Sequence, residues 1–252
     1  MTVSYAVVTG PDSDVQLCVN FMKNQLRLTA AAAATLGAVW GGTAAFADWP
    51  FGSVAHLEPG YGGVCEGCDL SGRLLVGAKM TNSVFRHANF SHAVLTRANA
   101  SNAVFEGANF SDADLSHAKL IDAKCAGARF RSATLAHGDA SRADLQNADF
   151  TRAELEDVAF AHANLQGAVF THVVADAASF VGADLRHALF SRAHLEGVDF
   201  SEADVTGADF SHANLSGADL RSAHGLTEAQ VRRACGDRST RLPRHMRIAR
   251  CG

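Results

Sequence analysis

Residues 88–115 read ANFSHAVLTRANASNAVFEGANFSDADL, and the spacing inside this stretch decides the fold. Phe90, Leu95, Ala100, Phe105, Phe110 and Leu115 fall on every fifth residue, each preceded two positions earlier by an alanine. The same phase extends outward from Leu70 to Leu220, thirty-one units without an insertion. The repeated position is Leu or Phe except at Met80, Ala100, Cys125, Ala140, Ala175 and Val205. Between the small and the large residue the sequence favours Asp or Asn. A period of five matches neither the 3.6 of a helix nor the 2.0 of a strand. It fits a chain that turns a corner every five residues, with the large residue and the small one before it pointing inward. The other three positions, mostly Ser, Thr, Asp, Asn, Arg, His and Gly, then face solvent.

A longer period gives the number of sides. Phe90, Phe110, Phe130, Phe150, Phe170, Phe190 and Phe210 recur every twenty residues. So do Leu75, Leu95, Leu115, Leu135, Leu155, Leu195 and Leu215, with only Ala175 breaking the column. Pure columns at twenty predict four sides per turn, whereas a three-sided coil would mix Phe90 with Phe105, Leu120 and Leu135. The remaining columns run Met80, Ala100, Leu120, Ala140, Phe160, Phe180, Phe200, Leu220 and Phe85, Phe105, Cys125, Leu145, Leu165, Leu185, Val205. Ala100 and Ala140 lie opposite the Phe column, a volume compensation that close packing requires. Nearly eight turns stacked about 4.8 Å apart predict a rod of roughly 37 Å.

Ala-Asp/Asn-Leu/Phe-x-x in uninterrupted tandem over residues 68–223 resembles the pentapeptide-repeat family. The resemblance implies an all-β, right-handed quadrilateral β-helix, the handedness coming from the family and not from the periodicity. It also supplies one functional alternative. Some members mimic DNA with a strongly acidic rod and inhibit type II topoisomerases such as gyrase, giving quinolone resistance.

The flanks read differently. Lys23 and Arg27 precede LTAAAAATLGAVWGGTAAFA, an uncharged run from Leu28 to Ala47 that ends in an A-x-A-like site before Asp48. This is the pattern of a secretory signal peptide, so residues 1–47 are expected to be removed. Asp12 and Asp14 fit poorly in a basic n-region, which makes Met22 a candidate start. Residues 48–67 are expected to form an N-terminal cap carrying Trp49, Phe51, Leu57 and Tyr61. The repeat β-helix spans 68–224, and 225–252 forms a short capping helix with a basic tail. Thr227-Glu228-Ala229-Gln230 is a capping-box pattern, with Thr227 and Gln230 as the cap pair and a helix through about Ala234. Cys235 to Gly252 is read as irregular. Caps are needed because a solenoid exposes apolar surface and unpaired backbone at both ends.

Once Cys18 is removed, five cysteines remain. Cys125 falls in an inward column. Cys65/Cys68 and Cys235/Cys251 form two local pairs at opposite ends of the rod, which in an exported protein reads as one disulfide per cap. A redox or zinc element at Cys65-Glu66-Gly67-Cys68 is the competing reading, without a second C-x-x-C to support it.

Charge is uneven but modest. Residues 68–223 carry 19 Asp/Glu and 13 Lys/Arg, whereas 225–252 carry seven Arg and two acids. Eight histidines share one outward position, and Arg97, His117, His137 and Asp157 fall in one vertical line. Such a line could bind a metal weakly or respond to pH, although a solvated polar face is the simpler expectation. Leu74 with Val94, and Val84 with Val104, form outward apolar columns near the first coils and are a candidate contact patch. No catalytic constellation has a pocket, because Leu and Phe fill the bore. The expected function is therefore a non-enzymatic exported scaffold or binding rod in the periplasm or outside the cell. Its expected partner is a protein or envelope component, with no cofactor, no small-molecule substrate and no nucleic acid; a homodimer is admissible.

Overall fold

The computed structural model describes residues 63–251, and from Val64 onward the chain bends at every fifth residue. The signal segment 1–47 and residues 48–62 of the expected N-terminal cap lie outside the described residues. Each side of the coil pairs in parallel with the side one turn later, from Val64↔Val84 through Asp204↔His224. On the Phe90 side, the Asn89 N–H donates to the Cys68 carbonyl at 2.7 Å and the Phe90 N–H donates to the Asn109 carbonyl at 2.6 Å. Every side thus spends its polar backbone on the coils before and after it, which is what allows an apolar bore.

The bore is continuous. The Phe column is 0–1 % exposed, and its rings stack with centroids 4.7–5.2 Å apart. Where Phe160, Phe180 and Phe200 enter from the facing side, they meet this column edge to face, as at Phe150–Phe160 (5.8 Å, 78°) and Phe190–Phe200 (5.9 Å, 89°). Alanine opposite phenylalanine is therefore one of two solutions; the second is a T-shaped pair, which suits the ring quadrupoles.

The corners explain the outward residue types. In a typical corner the Ala93 N–H donates to the Phe90 carbonyl at 3.0 Å, and His92 sits at φ 58°. A positive φ at the third residue is the type II pattern, which disfavours most side chains and favours Gly, Asn, Asp and His. His87, His92, His117, His137, His162, His172, His187 and His212 all occupy this position with φ of 55–60°. The shared histidine position is thus a backbone requirement before it is a chemical one. Asp and Asn before the large residue have their own reason: Asn109 Oδ1 accepts the Ser111 N–H at 3.2 Å and Asp149 Oδ1 accepts the Thr151 N–H at 3.0 Å. These Asx turns satisfy an amide entering the corner.

Ala177 holds the same left-handed conformation at φ 58° with no polar side chain to compensate. Ala177→Gly is expected to stabilise the rod by about 0.5–1 kcal/mol, since relief of the Cβ clash exceeds the added freedom of the unfolded chain. A denaturant midpoint that rises checks it. The neighbouring Ala178→Gly, at a buried inward position, is expected to lower the midpoint.

Both ends depart from the sequence reading. At the start, Val64 already pairs with Val84, so the coil begins inside the span assigned to the cap. Cys65 and Cys68 continue the large and small inward positions, and both are buried. At the end, α1 (Glu228–Arg232) stops two residues short of Ala234, with Arg233 as its C-cap. The tail after it is not irregular throughout. Cys235 pairs with Asn214 and Arg241 with Asp219, and β1 (Cys235–Gly236) pairs in parallel with β2 (Ala249–Arg250). The physical cause is the unpaired edge of the last coil, whose Leu215 and Leu220 N–H groups donate to the Cys235 and Arg241 carbonyls at 2.7 and 2.8 Å.

Candidate interaction surface

With the bore filled, the surfaces available for chemistry are the outer faces and the tips. The histidine line forms partly: the His117 and His137 rings stack at 5.0 Å and 18°, and His137 Nδ1 lies 3.3 Å from Asp157 Oδ2. Among the described residues no group of three or more His, Cys, Asp or Glu is arranged to hold a metal ion. Three other turn histidines lie over the next coil. The His87, His162 and His187 rings sit within 2.5–2.7 Å of where a Cβ would be on Gly107, Gly182 and Gly207. Glycine one turn later makes room for the ring, a pairing visible only when residues twenty apart are compared.

The apolar columns do not form one patch. Leu74 pairs with Val94 and Val84 with Val104, but the two columns are ten residues apart, half a coil, and so occupy opposite faces. All four side chains are half-buried. Among the described residues the exposed large hydrophobics are Val64 (64 %), Val76 (49 %) and Leu189 (41 %). Val76 was not marked by the column argument, because it sits at the first corner residue rather than on a flat side.

Some of the charges along the flanks are paired across coils. Arg86 bridges Glu66 (3.2 Å) and Glu106 (2.9 Å), one turn before and one after. Arg142 reaches Asp122 through two bonds of 2.7 and 2.8 Å, and Arg131 reaches Asp149. Such exposed pairs add little stability each, but they flatten the field of an array that carries an excess of acids.

The C-terminal end is the most constructed region. Thr227 and Gln230 form a capping box: Thr227 Oγ1 accepts the Gln230 N–H at 3.3 Å and the Gln230 side chain accepts the Thr227 N–H at 2.8 Å. Gln230 Nε2 also donates to the Val205 and Ala208 carbonyls, each at 2.9 Å, fastening α1 to the last coils. Cys235 and Cys251 are disulfide-bonded, with Cα atoms 4.8 Å apart; Cys65 and Cys68 are bonded across a corner at 5.6 Å. Cys125 is the free cysteine among those described; burial pushes its thiol pKa up, leaving it without thiolate character.

Two carboxylates anchor this end. Asp219 is lowered to about 2, chiefly by the Arg221 guanidinium hydrogen bond, with Arg241 adding to it at 3.4 Å. Asp237 is lowered to about 2, chiefly by the Ser239 hydroxyl, and it also accepts the Gly217 N–H at 3.0 Å. Because both folded values lie below the ordinary 3.8, their contribution is complete above roughly pH 4 and is lost as pH falls through 2. The Gly217 and Arg241 amides are therefore expected to lose hydrogen-exchange protection between about pH 4 and 2, ahead of the Phe150 amide in mid-array. NMR exchange at stepped pH checks the order.

Family models for pentapeptide repeats match this chain: the pentapeptide repeat region over residues 93–170 and 143–220, and the eight-copy pentapeptide repeat over 65–99. The chain belongs to the pentapeptide-repeat family. Membership makes the coil a right-handed β-helix, of a kind generally without enzymatic activity. Among solved structures, HetL, a pentapeptide repeat protein involved in heterocyst differentiation regulation in the cyanobacterium Nostoc sp. strain PCC 7120, is 26% identical. It matches 63% of this chain and 83% of its own, with a TM-score of 0.32. A pentapeptide repeat protein of the Arabidopsis thaliana thylakoid lumen is 29% identical over 39% of this chain and 68% of its own, TM-score 0.38. Trypsin-treated QnrB1, a plasmid-mediated fluoroquinolone resistance protein, is 23% identical over 70% and 90%, TM-score 0.41. No curated protein matches the chain.

Proposed function

We propose that this pentapeptide-repeat protein is a non-enzymatic exported rod that presents ladders of side chains to a protein or envelope partner, in the periplasm or outside the cell. The observation that carries the reading is the division of its cysteines. Four are paired as two disulfides at the two ends of the coil, while the fifth described cysteine is buried and inert. Disulfides persist in oxidising compartments, and the A-x-A-like site before Asp48 supplies the route there. The filled bore supports the absence of catalysis, since Phe and Leu close the interior from Leu75 to Leu220. The coil runs from Val64 to His224 without a loop, and α1 with the tail closes its far end.

The competing reading is a DNA-mimicking inhibitor of gyrase of the quinolone-resistance type. The modest charge of the array, 19 acids interleaved with 13 Lys/Arg, argues against it, because a mimic needs a strongly acidic flank. The test is a supercoiling assay with purified protein, run alongside fractionation of the cells that make it. Export predicts protein in the envelope or medium and unimpeded supercoiling. Cytoplasmic protein that blocks supercoiling at stoichiometric concentration contradicts the proposal and establishes the rival.

A further inference from the structure

The tail after α1 carries arginine on every third residue: Arg238, Arg241, Arg244, Arg247 and Arg250. All five are exposed. Arg241 is held by Asp219, whereas the other four have no carboxylate partner among the described residues. On the coils Arg97, Arg129, Arg152 and Arg192 also lack an ion pair among the described residues but are scattered along the rod, so four uncommitted guanidinium groups within thirteen residues are particular to this tip.

The segment that carries them is a folded platform. Cys235–Cys251 closes it, and the Cys251 N–H donates to the Gly236 carbonyl at 3.0 Å. Thr240 Oγ1 donates to the Leu215 carbonyl at 2.9 Å, and Leu242 and Ile248 pack on the core. Ile248 lies 3.1 Å from where a Cβ would stand on Gly236, so the loop seats against β1 with no room to spare. Arginines projected from an ordered loop lose less conformational freedom on binding than those of a free tail.

We propose that this tip docks the rod end-on onto an anionic phospholipid surface through Arg238, Arg244, Arg247 and Arg250. Three features select that partner among polyanions. The loop Cys235–Cys251 contains no Phe, Tyr or Trp on which unpaired bases could stack. The flanks hold 19 acids against 13 bases, so a long duplex lying beside the rod would meet net negative charge. A plane of headgroups touches the tip alone and leaves the flanks in water. Because Leu242 and Ile248 are engaged inward, the contact is electrostatic and superficial, and it weakens with salt. The inference does not depend on export, since either side of a membrane can present anionic lipid; its failure would leave the compartment assignment untouched.

The experiment is co-sedimentation of the full chain with vesicles of phosphatidylcholine alone or with about one-third phosphatidylglycerol, at low and high salt, with binding read as the difference between the two compositions. The expected result is preference for the anionic vesicles, lost at high salt and reduced roughly a hundredfold in the triple variant R244Q/R247Q/R250Q. The three side chains are exposed, and an unchanged denaturation midpoint verifies the variant's fold. Equal binding to both vesicles, an unaffected triple variant, or tighter binding to a DNA duplex than to anionic vesicles would each overturn the proposal.

Discussion

Ala168→Glu is expected to unfold the middle of the rod at neutral pH, at a cost on the order of 5 kcal/mol. Ala168 is fully buried and stacks between Ala148 and Ala188, which are equally buried, in a column that holds only alanine from Ala88 to Ala208. The carboxylate would have neither water nor a cationic partner there, and the added volume would push the Phe rings off their stacks. The sign of the pH response identifies the cause. Burial raises the folded-state pKa of the new acid, so the deficit relative to the parent is smallest near pH 4, where the group is protonated in both states, and grows as pH rises. Gln166→Glu, two residues earlier on the outer corner, is expected to shift the midpoint by less than about 0.5 kcal/mol. Urea denaturation of both variants at pH 4 and 7 distinguishes a buried charge from a general intolerance of acid on this face.

Phe170→Ala is expected to cost about 3–5 kcal/mol. Phe170 stacks on Phe150 at 5.0 Å and Phe190 at 4.7 Å, and meets Phe180 edge to face at 5.7 Å. Removing it breaks these contacts and a fourth, edge to face with Phe160 at 6.3 Å, and the fixed backbone of the coils prevents the walls from closing on the void. Phe170→Leu, which keeps much of the volume, is expected to cost only about 1–2 kcal/mol. Because each coil touches only its neighbours, the loss should be local. Hydrogen exchange is expected to accelerate most in the coils containing Phe150, Phe170 and Phe190, with the first coils least affected.

The array was legible because its interactions repeat at a fixed separation: a residue's partners lie twenty positions away, and a column such as Phe90 to Phe210 displays that directly. The outward positions were legible in type but not in cause. Eight histidines at one phase look like a chemical device until the backbone places them at positive φ, where His is simply tolerated. The tail was the least legible part. Its pairings, Asn214 with Cys235 and Asp219 with Arg241, drift off the twenty-residue spacing, and α1 intervenes. No periodicity marks them; they follow from the need of the last coil to satisfy its edge. The apolar columns show the opposite failure, since Leu74 and Val84 are near in sequence yet belong to opposite faces.

A disulfide-closed rod that works outside the cytoplasm is tested most directly by the intact mass of thiol-alkylated protein taken from the envelope or medium. The expected result is a chain beginning at Asp48, with Cys65, Cys68, Cys235 and Cys251 protected from alkylation and Cys125 labelled only after denaturation. An uncleaved chain confined to the cytoplasm, with these four thiols open to alkylation, would contradict it.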